Sequence, residues 1–351
     1  MTNLKNSILV ARIVTEPPKD FPMTRLVHFD IAKAIAIILV VIGHYYPENA
    51  PGWYLALHSW IYTFHMPLFM FASGYIYLSF KKDEGYFTFI KKKFRRLFVP
   101  YIIVSMIIIS IKLLTQRNMY VENPVTPETY IQILYLPAAG YFLWFIWSLF
   151  TCFLIIPFFK TANARLVLLL ISILLHYVFT LGSIELFAIN ETSRNLLWFM
   201  VGTSAYDYGS IVFSHTFWEK YKNILKIFSI ILFVVTSILF LLETPYTNEI
   251  LAWFGIASTM STSTWIVHIR AAKYIQPILI VGSASYIIYL FHTTFEGLAK
   301  SIVQKVSFFA NSDTGFVMGA LLCILAGIVG PIVLFYIIRK FQMTRMIFGL
   351  K

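Results

Sequence analysis

Ten runs of about twenty predominantly apolar residues recur along this chain, and about twenty is the length an α-helix needs to cross a bilayer. They fall at roughly 29–47, 56–79, 97–115, 141–159, 164–181, 194–213, 224–242, 249–268, 277–297 and 316–339. The 351 residues are 59% hydrophobic and 13% charged, with a mean hydropathy of +0.75. That is more apolar surface than a water-soluble fold of this length encloses. The expected fold class is all-α: a polytopic integral membrane protein with about ten transmembrane helices. It divides into an N-terminal tail over 1–24, a membrane domain over 25–340 and a C-terminal tail over 341–351. The first 28 residues do not read as a cleavable signal, because the run Ser7–Val14 is short, is broken by Arg12 and precedes no small-residue cleavage site. Cys152 and Cys323 sit within apolar runs, and no disulfide is expected.

The formal net charge of +12 raises the question of a nucleic-acid partner, which the placement of the charges answers in the negative. Counting spans, 23 of the 28 Lys and Arg residues fall on one side, and only Lys112, Arg117, Arg194, Lys300 and Lys305 on the other. The positive-inside rule then puts both termini in the cytoplasm. Every loop agrees, and a missed span would invert all later loops.

The stretch Phe29–Tyr46 carries two ionisable groups inside an apolar run, Lys33 and His44. Such groups are costly in a membrane and mark functional candidates. They lie eleven residues apart, so about 20° around the helix axis and about 16 Å along it. Asp30 falls near the same face. With the assigned orientation His44 lies in the outer third of its span, and His65 and His292 share that depth on the second and ninth spans. His176 is a possible fourth, while His28 and His58 read as interfacial and His215 and His268 as cytoplasmic. A buried histidine bonded to a neighbouring helix is the plain alternative for each. A neutral imidazole in a water-poor interior serves as a general base near pH 7, and His44, on the face of Lys33, is the first candidate. What orients it is open: Glu48 is four residues on, but Pro47 intervenes. Pro67, two residues after His65, frees the carbonyl of Thr63 and predicts a kink. Ser73 and Gly74 are small enough for a close helix contact. Glu296 stands at i+4 from His292, either as a second polar wall or as the end of the span. No two of the three histidines share a helix at i, i+4 spacing, so a metal site is not expected. The run Lys91–Arg96, KKKFRR, opens the third span at the cytoplasmic face. It reads as a topology and lipid-binding signal, or as a cradle for a phosphorylated donor in which Lys92, Lys93, Arg95, Arg96 and, farther in, Lys33 take part.

Together these residues resemble the acyltransferase-3 family of integral membrane O-acyltransferases, in particular its bacterial sugar O-acetylases of the fucose-acetylase-like and exopolysaccharide branch. That family's first-helix signature, a basic residue, ten others, then His, is similar to Lys33–His44 within DIAKAIAIILVVIGH; its paired basic motif is met by Lys93 and Arg96 or by Lys92 and Arg95. The segments FHMPLFMFASGY, LWFIWSLF and YIIYLFH also look like family segments, and the resemblance runs from about 25 to 338. Lys stands where Arg is commoner in the first helix and in the first place of the pair, which removes a bidentate fork from the donor's grip. No second, soluble acyltransferase domain is expected to follow, so the chain would act on its acceptor alone. The resemblance implies ten core helices in a bacterial plasma (inner) membrane and a catalytic histidine. It further implies an acyl-CoA co-substrate reached from the cytoplasm, with acetyl-CoA expected and no permanently bound cofactor. The acceptor would be a hydroxyl of a cell-surface or lipid-linked glycan. Expected partners are membrane lipid, acyl-CoA, the glycan and glycan-biosynthesis proteins, with no nucleic acid. Catalysis is expected at His44, His65 and His292. A transporter or exporter of a glycan intermediate is the rival, against which stand the absence of paired broken helices and the position of the polar groups away from midplane.

Overall fold

The computed structural model describes residues 26–47, 50–117, 121, 123–178, 185–209, 215–241, 247–268, 272–310 and 312–350. The tail over 1–24, Glu48 and Arg270 lie outside the described residues. Each of the ten apolar runs coincides with a long helix: α1 Val27–His44, α2 Gly52–Ser79, α3 Tyr86–Thr115, α4 Trp144–Ile155, α5 Ala162–Val178, α6 Ile189–Gly209, α7 His215–Leu241, α8 Thr247–His268, α9 Ala272–Val303 and α10 Asp313–Lys340. Single 3₁₀ turns at Tyr141–Leu143 and Ile156–Phe158 lengthen α4 at both ends. There is no strand among the described residues. Six of these helices, α1, α3, α4 with its turns, α8, α9 and α10, are long and apolar enough to cross a membrane. The protein is an all-α polytopic membrane protein.

The largest departure from the predicted spans is at α3, which starts at Tyr86 rather than 97. KKKFRR is therefore part of a continuous helix, not a loop leading to one. Lys and Arg are good helix formers, and apolar-run counting detects where a helix meets lipid rather than where its hydrogen bonding begins. The helix α2 runs unbroken through Pro67.

Helix α1 occupies the middle of the bundle. Phe29, Ile31, Ala32, Ala34, Ala36, Ile37, Val40 and Val41 are all fully buried, and α1 packs on α2, α8, α9 and, more lightly, α10. Three alanines in that list let neighbouring helices come close, as is usual where lipid supplies no hydrophobic drive. Phe29 lies on Tyr75 of α2, ring centres 4.5 Å apart. The tightest crossing joins α2 to α6. A methyl group on Gly74 would strike the Phe199 carbonyl, and one on Gly202 would strike the Phe71 carbonyl. Two glycines thus face each other's backbone, and a side chain at either position would have to move a helix.

At the opposite end of α6 from its cavity face, Asp207 pairs with Arg165 of α5 through Nε (2.7 Å) and Nη2 (2.6 Å). The side chains are 7% and 8% exposed. Arg165 Nη1 also donates to the Phe159 and Lys160 carbonyls, at 3.2 and 2.8 Å, satisfying acceptors left free where α4 ends. One guanidinium thus joins α4, α5 and α6.

Candidate active site

The helices that meet at α1 bring three histidines to one level. His44 is the last residue of α1. His292, on α9, places its ring centre 4.8 Å from that of His44, with the planes at 60°. Tyr62 of α2 lies 6.2 Å from His44 and 4.8 Å from His65. The rings therefore run His292, His44, Tyr62, His65, with His58 stacked on Tyr62 at 4.3 Å. Tyr54 locks the α1–α2 corner by donating its hydroxyl to the Ile42 carbonyl at 2.8 Å. Phe142, set by the turn before α4, packs edge-on against His44 at 5.8 Å and His292 at 5.2 Å.

Two of the histidines have their tautomer decided by the backbone. A carbonyl only accepts, so a ring nitrogen bonded to one must carry the proton. His65 Nδ1 donates to the Ile61 carbonyl at 2.8 Å. His292 Nδ1 donates to the carbonyls of Tyr289, at 2.9 Å, and Ile288, at 3.1 Å. In neutral form each then offers Nε2 only as an acceptor. His65 is 2% exposed and His292 0%, whereas His44 is half-buried.

These side chains border a cavity of about 1090 Å³, at or above the upper end of ordinary ligand sites, about 300–1,000 Å³. His44, His65 and Phe142 line it; His292 does not, being covered by its neighbours. The odd-numbered helices α1 to α9 reach it with their C-terminal parts and the even-numbered α2 to α8 with their N-terminal parts. The first nine helices therefore alternate in direction. The far wall holds His176, Glu191, Arg194 and Glu249. His176 Nδ1 donates to the Arg194 carbonyl at 2.8 Å, and its Nε2 lies 3.6 Å from Glu249 Oε1. Local spacing gives no signal for that pairing, since the partners sit on α5 and α8. Glu191 accepts from the Tyr141 hydroxyl.

Glu296 is 5% exposed and lines the cavity, so it is an interior wall rather than the end of a span meeting water. Its Oε1 has no hydrogen-bond partner among the described residues. Gly327 of α10 makes the room: a methyl group there would lie 2.6 Å from Glu296 Cγ and 2.9 Å from Val41 Cγ1. Among the described residues no three metal-ligating side chains converge.

The cations are spread along the other end of the bundle. Lys33 pairs with Asp30 at 2.8 Å, one turn away on α1. Lys92 pairs with Glu84 at the surface. Lys93 turns inward over the Phe153 ring, 3.7 Å from its centre. Arg95 and Arg96 are exposed, and Arg96 touches Gly349 beyond the short helix Gln342–Ile347. None of these five is on the wall of the histidine cavity.

A multi-pass helical body with a histidine cluster beside a large cavity is an arrangement that suits a membrane-embedded enzyme. The family model described as acyltransferase domain matches residues 26–336, and the chain belongs to the acyltransferase-3 family. The chain is similar to the nodulation protein NolL of Mesorhizobium japonicum, 31% identical over 157 residues that make up 41% of this chain and 38% of the relative. It is also similar to the nodulation protein NolL of Sinorhizobium fredii, 46% identical over 57 residues, 15% of this chain and 16% of the relative. The matched stretches thus span under two fifths of either relative's length. No solved structure matches the chain. Membership places it among acyltransferases rather than exporters.

Proposed function

We propose that this protein is an O-acyltransferase of a bacterial inner membrane. It moves an acyl group, acetyl being the expected one, from cytoplasmic acyl-CoA to a hydroxyl of a cell-surface or lipid-linked glycan. The observation that carries the reading is the shared cavity: His44 opens onto a space large enough for several sugar rings. Aromatic side chains (Tyr62, Phe142, Trp144, Trp198) and polar ones share its walls. In this reading His44 accepts the proton of the attacking hydroxyl. The oxygen forms a bond to the thioester carbonyl carbon, the C–S bond breaks, and the departing coenzyme A thiolate takes the proton back from His44. His65, with Nε2 restricted to accepting, holds an acceptor hydroxyl. Membranes holding the protein, given acyl-labelled acetyl-CoA, should transfer label to surface glycan. Membranes of the His44→Ala variant should not, and label left wholly as acetyl-CoA in the wild type would refute the reading.

Orientation follows the same proposal, with ten spans and both ends of the chain cytoplasmic. The 23-to-5 division of basic residues supports it, as does the alternation of the helices around the cavity. Reporter fusions after Arg96 and Lys340 should register cytoplasm, and fusions between 116 and 139 the outside. A cytoplasmic signal from 116–139 would overturn the arrangement.

The donor's phosphates are assigned to the cationic end, where Lys93 and Arg96 stand three residues apart on α3 and Arg95, Lys92 and Lys33 are close in sequence or depth. His44 lies about 16 Å farther along α1 than Lys33 by helix rise, a span for a pantetheine arm to bridge. Lys93→Ala combined with Arg96→Ala should weaken coenzyme A binding about tenfold or more, as expected when charge-assisted phosphate contacts are lost. Added salt should weaken the wild type in the same direction. Calorimetric titration of coenzyme A into the solubilised protein measures both; unchanged affinity in the double variant would leave KKKFRR as a topology signal alone.

A further inference from the structure

The cavity explains what His44 faces but not what holds it. We propose that His292 is the positioning residue of His44: its Nε2 accepts an N–H from the His44 ring, leaving the other His44 nitrogen unprotonated and turned to the cavity. This rests on the reading of His44 as the base.

Three observations carry it. First, His292 has only one free valence for a hydrogen bond. Its Nδ1 proton is committed to the Tyr289 and Ile288 carbonyls, so its neutral ring meets other groups only as an acceptor through Nε2. Second, that Nε2 is buried and has no partner among the described residues. A buried acceptor left unsatisfied costs about 1–3 kcal/mol, so the site is built for a donor. Third, the candidates for that donor are few. His292 is 0% exposed and is absent from the cavity wall, which keeps substrate hydroxyls away. Its ring neighbours are Phe142 and Tyr289, and beside them His44. Phe142 has no donor, and the Tyr289 hydroxyl donates to the Phe142 carbonyl. Of these ring neighbours only the imidazole of His44, in edge contact at 4.8 Å between ring centres, has an N–H to give. In the proposed arrangement the His44 side chain turns so that the two ring nitrogens meet at an ordinary hydrogen-bond length of about 2.9 Å.

The chemistry that follows concerns which nitrogen is basic. A histidine base with both tautomers populated presents its lone pair to the substrate only part of the time. A fixed acceptor behind the ring removes the wrong tautomer and then stabilises the imidazolium formed when the acceptor hydroxyl gives up its proton. The backbone carbonyls behind His292 make that acceptor rigid, since α9 itself holds the ring. Partners that orient a metal-ligating histidine are typically worth about 10–100-fold, and the same order is expected where the oriented histidine is a base.

The test uses the full chain in lipid nanodiscs, with His292→Leu, His292→Gln and His44→Ala beside wild type. His292→Leu is expected to lower the kcat of acyl transfer about 10–100-fold with the KM for acetyl-CoA unchanged. His292→Gln keeps an acceptor oxygen and is expected to regain most of the loss. Nitrogen-15 spectra of histidine-labelled wild type should show His44 in a single neutral tautomer, and His292→Leu should show a mixture. Wild-type kcat in His292→Leu, or a mixed tautomer for His44 in the wild type, overturns the proposal. The wild-type spectrum needs no variant, so a mixed His44 tautomer there overturns the proposal even if His292→Leu fails to fold, and His292→Gln then supplies the variant comparison. Full activity in His44→Ala would instead sink the reading of His44 as base, whatever His292 does.

Discussion

Alanine at position 44 is expected to lower acyl transfer by about 10²–10⁴-fold, the loss typical of a removed general base, while coenzyme A still binds. The two halves of that expectation come from separate places in the structure. His44 stands at the end of α1 on the cavity wall, and none of Lys33, Lys92, Lys93, Arg95 and Arg96, the cations proposed to hold the donor, shares that wall. The substitution removes a ring that touches Tyr62, Phe142 and His292, so some local repacking will follow. The half-buried position keeps that cost modest beside the loss of a proton acceptor. Initial rates with labelled acetyl-CoA, together with coenzyme A titration of the same preparation, separate binding from chemistry. A His44→Ala protein with a near wild-type rate would remove His44 from the mechanism.

Asp207→Ala is expected to produce the largest loss of stability, about 3–5 kcal/mol, the cost of stranding one member of a buried ion pair. With its partner gone, the Arg165 guanidinium keeps only the carbonyls of Phe159 and Lys160 and stays 8% exposed, so water does little to screen it. Replacing both residues by apolar ones of similar volume, Arg165→Met with Asp207→Leu, is expected to restore most of the stability, because neither charge is then left alone. Thermal unfolding in a single detergent, read from the aromatic fluorescence, would rank the three proteins. Equal melting of Asp207→Ala and wild type would show that the clamp between α4, α5 and α6 holds nothing.

What the sequence reveals of this architecture is mostly what is periodic. The ten helices are legible because each carries an apolar run of about twenty residues. The eleven-residue spacing of Lys33 and His44 is legible because it lies within one helix. The common level of His44, His65 and His292 follows from counting inward from span ends, a calculation that tolerates errors of a turn. Pairings between helices are different in kind. Nothing near Arg165 in the sequence points to Asp207, nothing near His176 points to Glu249, and Gly74 gives no hint that its counterpart is Gly202. Such contacts depend on helix rotation and order in the bundle, which periodicity leaves undetermined. The start of α3 at Tyr86 is illegible for another reason: hydropathy falls where lipid stops, and the helix does not.

In the proposed reaction Phe142 would act as a guard on the outcome. Its ring covers the edges of both His44 and His292, and its backbone carbonyl is held by the Tyr289 hydroxyl, so it is fixed against the cluster from the cavity side. In the proposed reaction an acyl thioester beside His44 would have two fates, capture by the glycan or loss to a water molecule, and water is far more abundant. A hydrocarbon face at that spot offers water nothing to bond to while leaving room for a substrate positioned by the surrounding polar walls. The fraction of acyl groups lost as free acid per turnover is the quantity that would report how well the ring performs, and a low value would mean that economy with the donor is built into the turn that precedes α4.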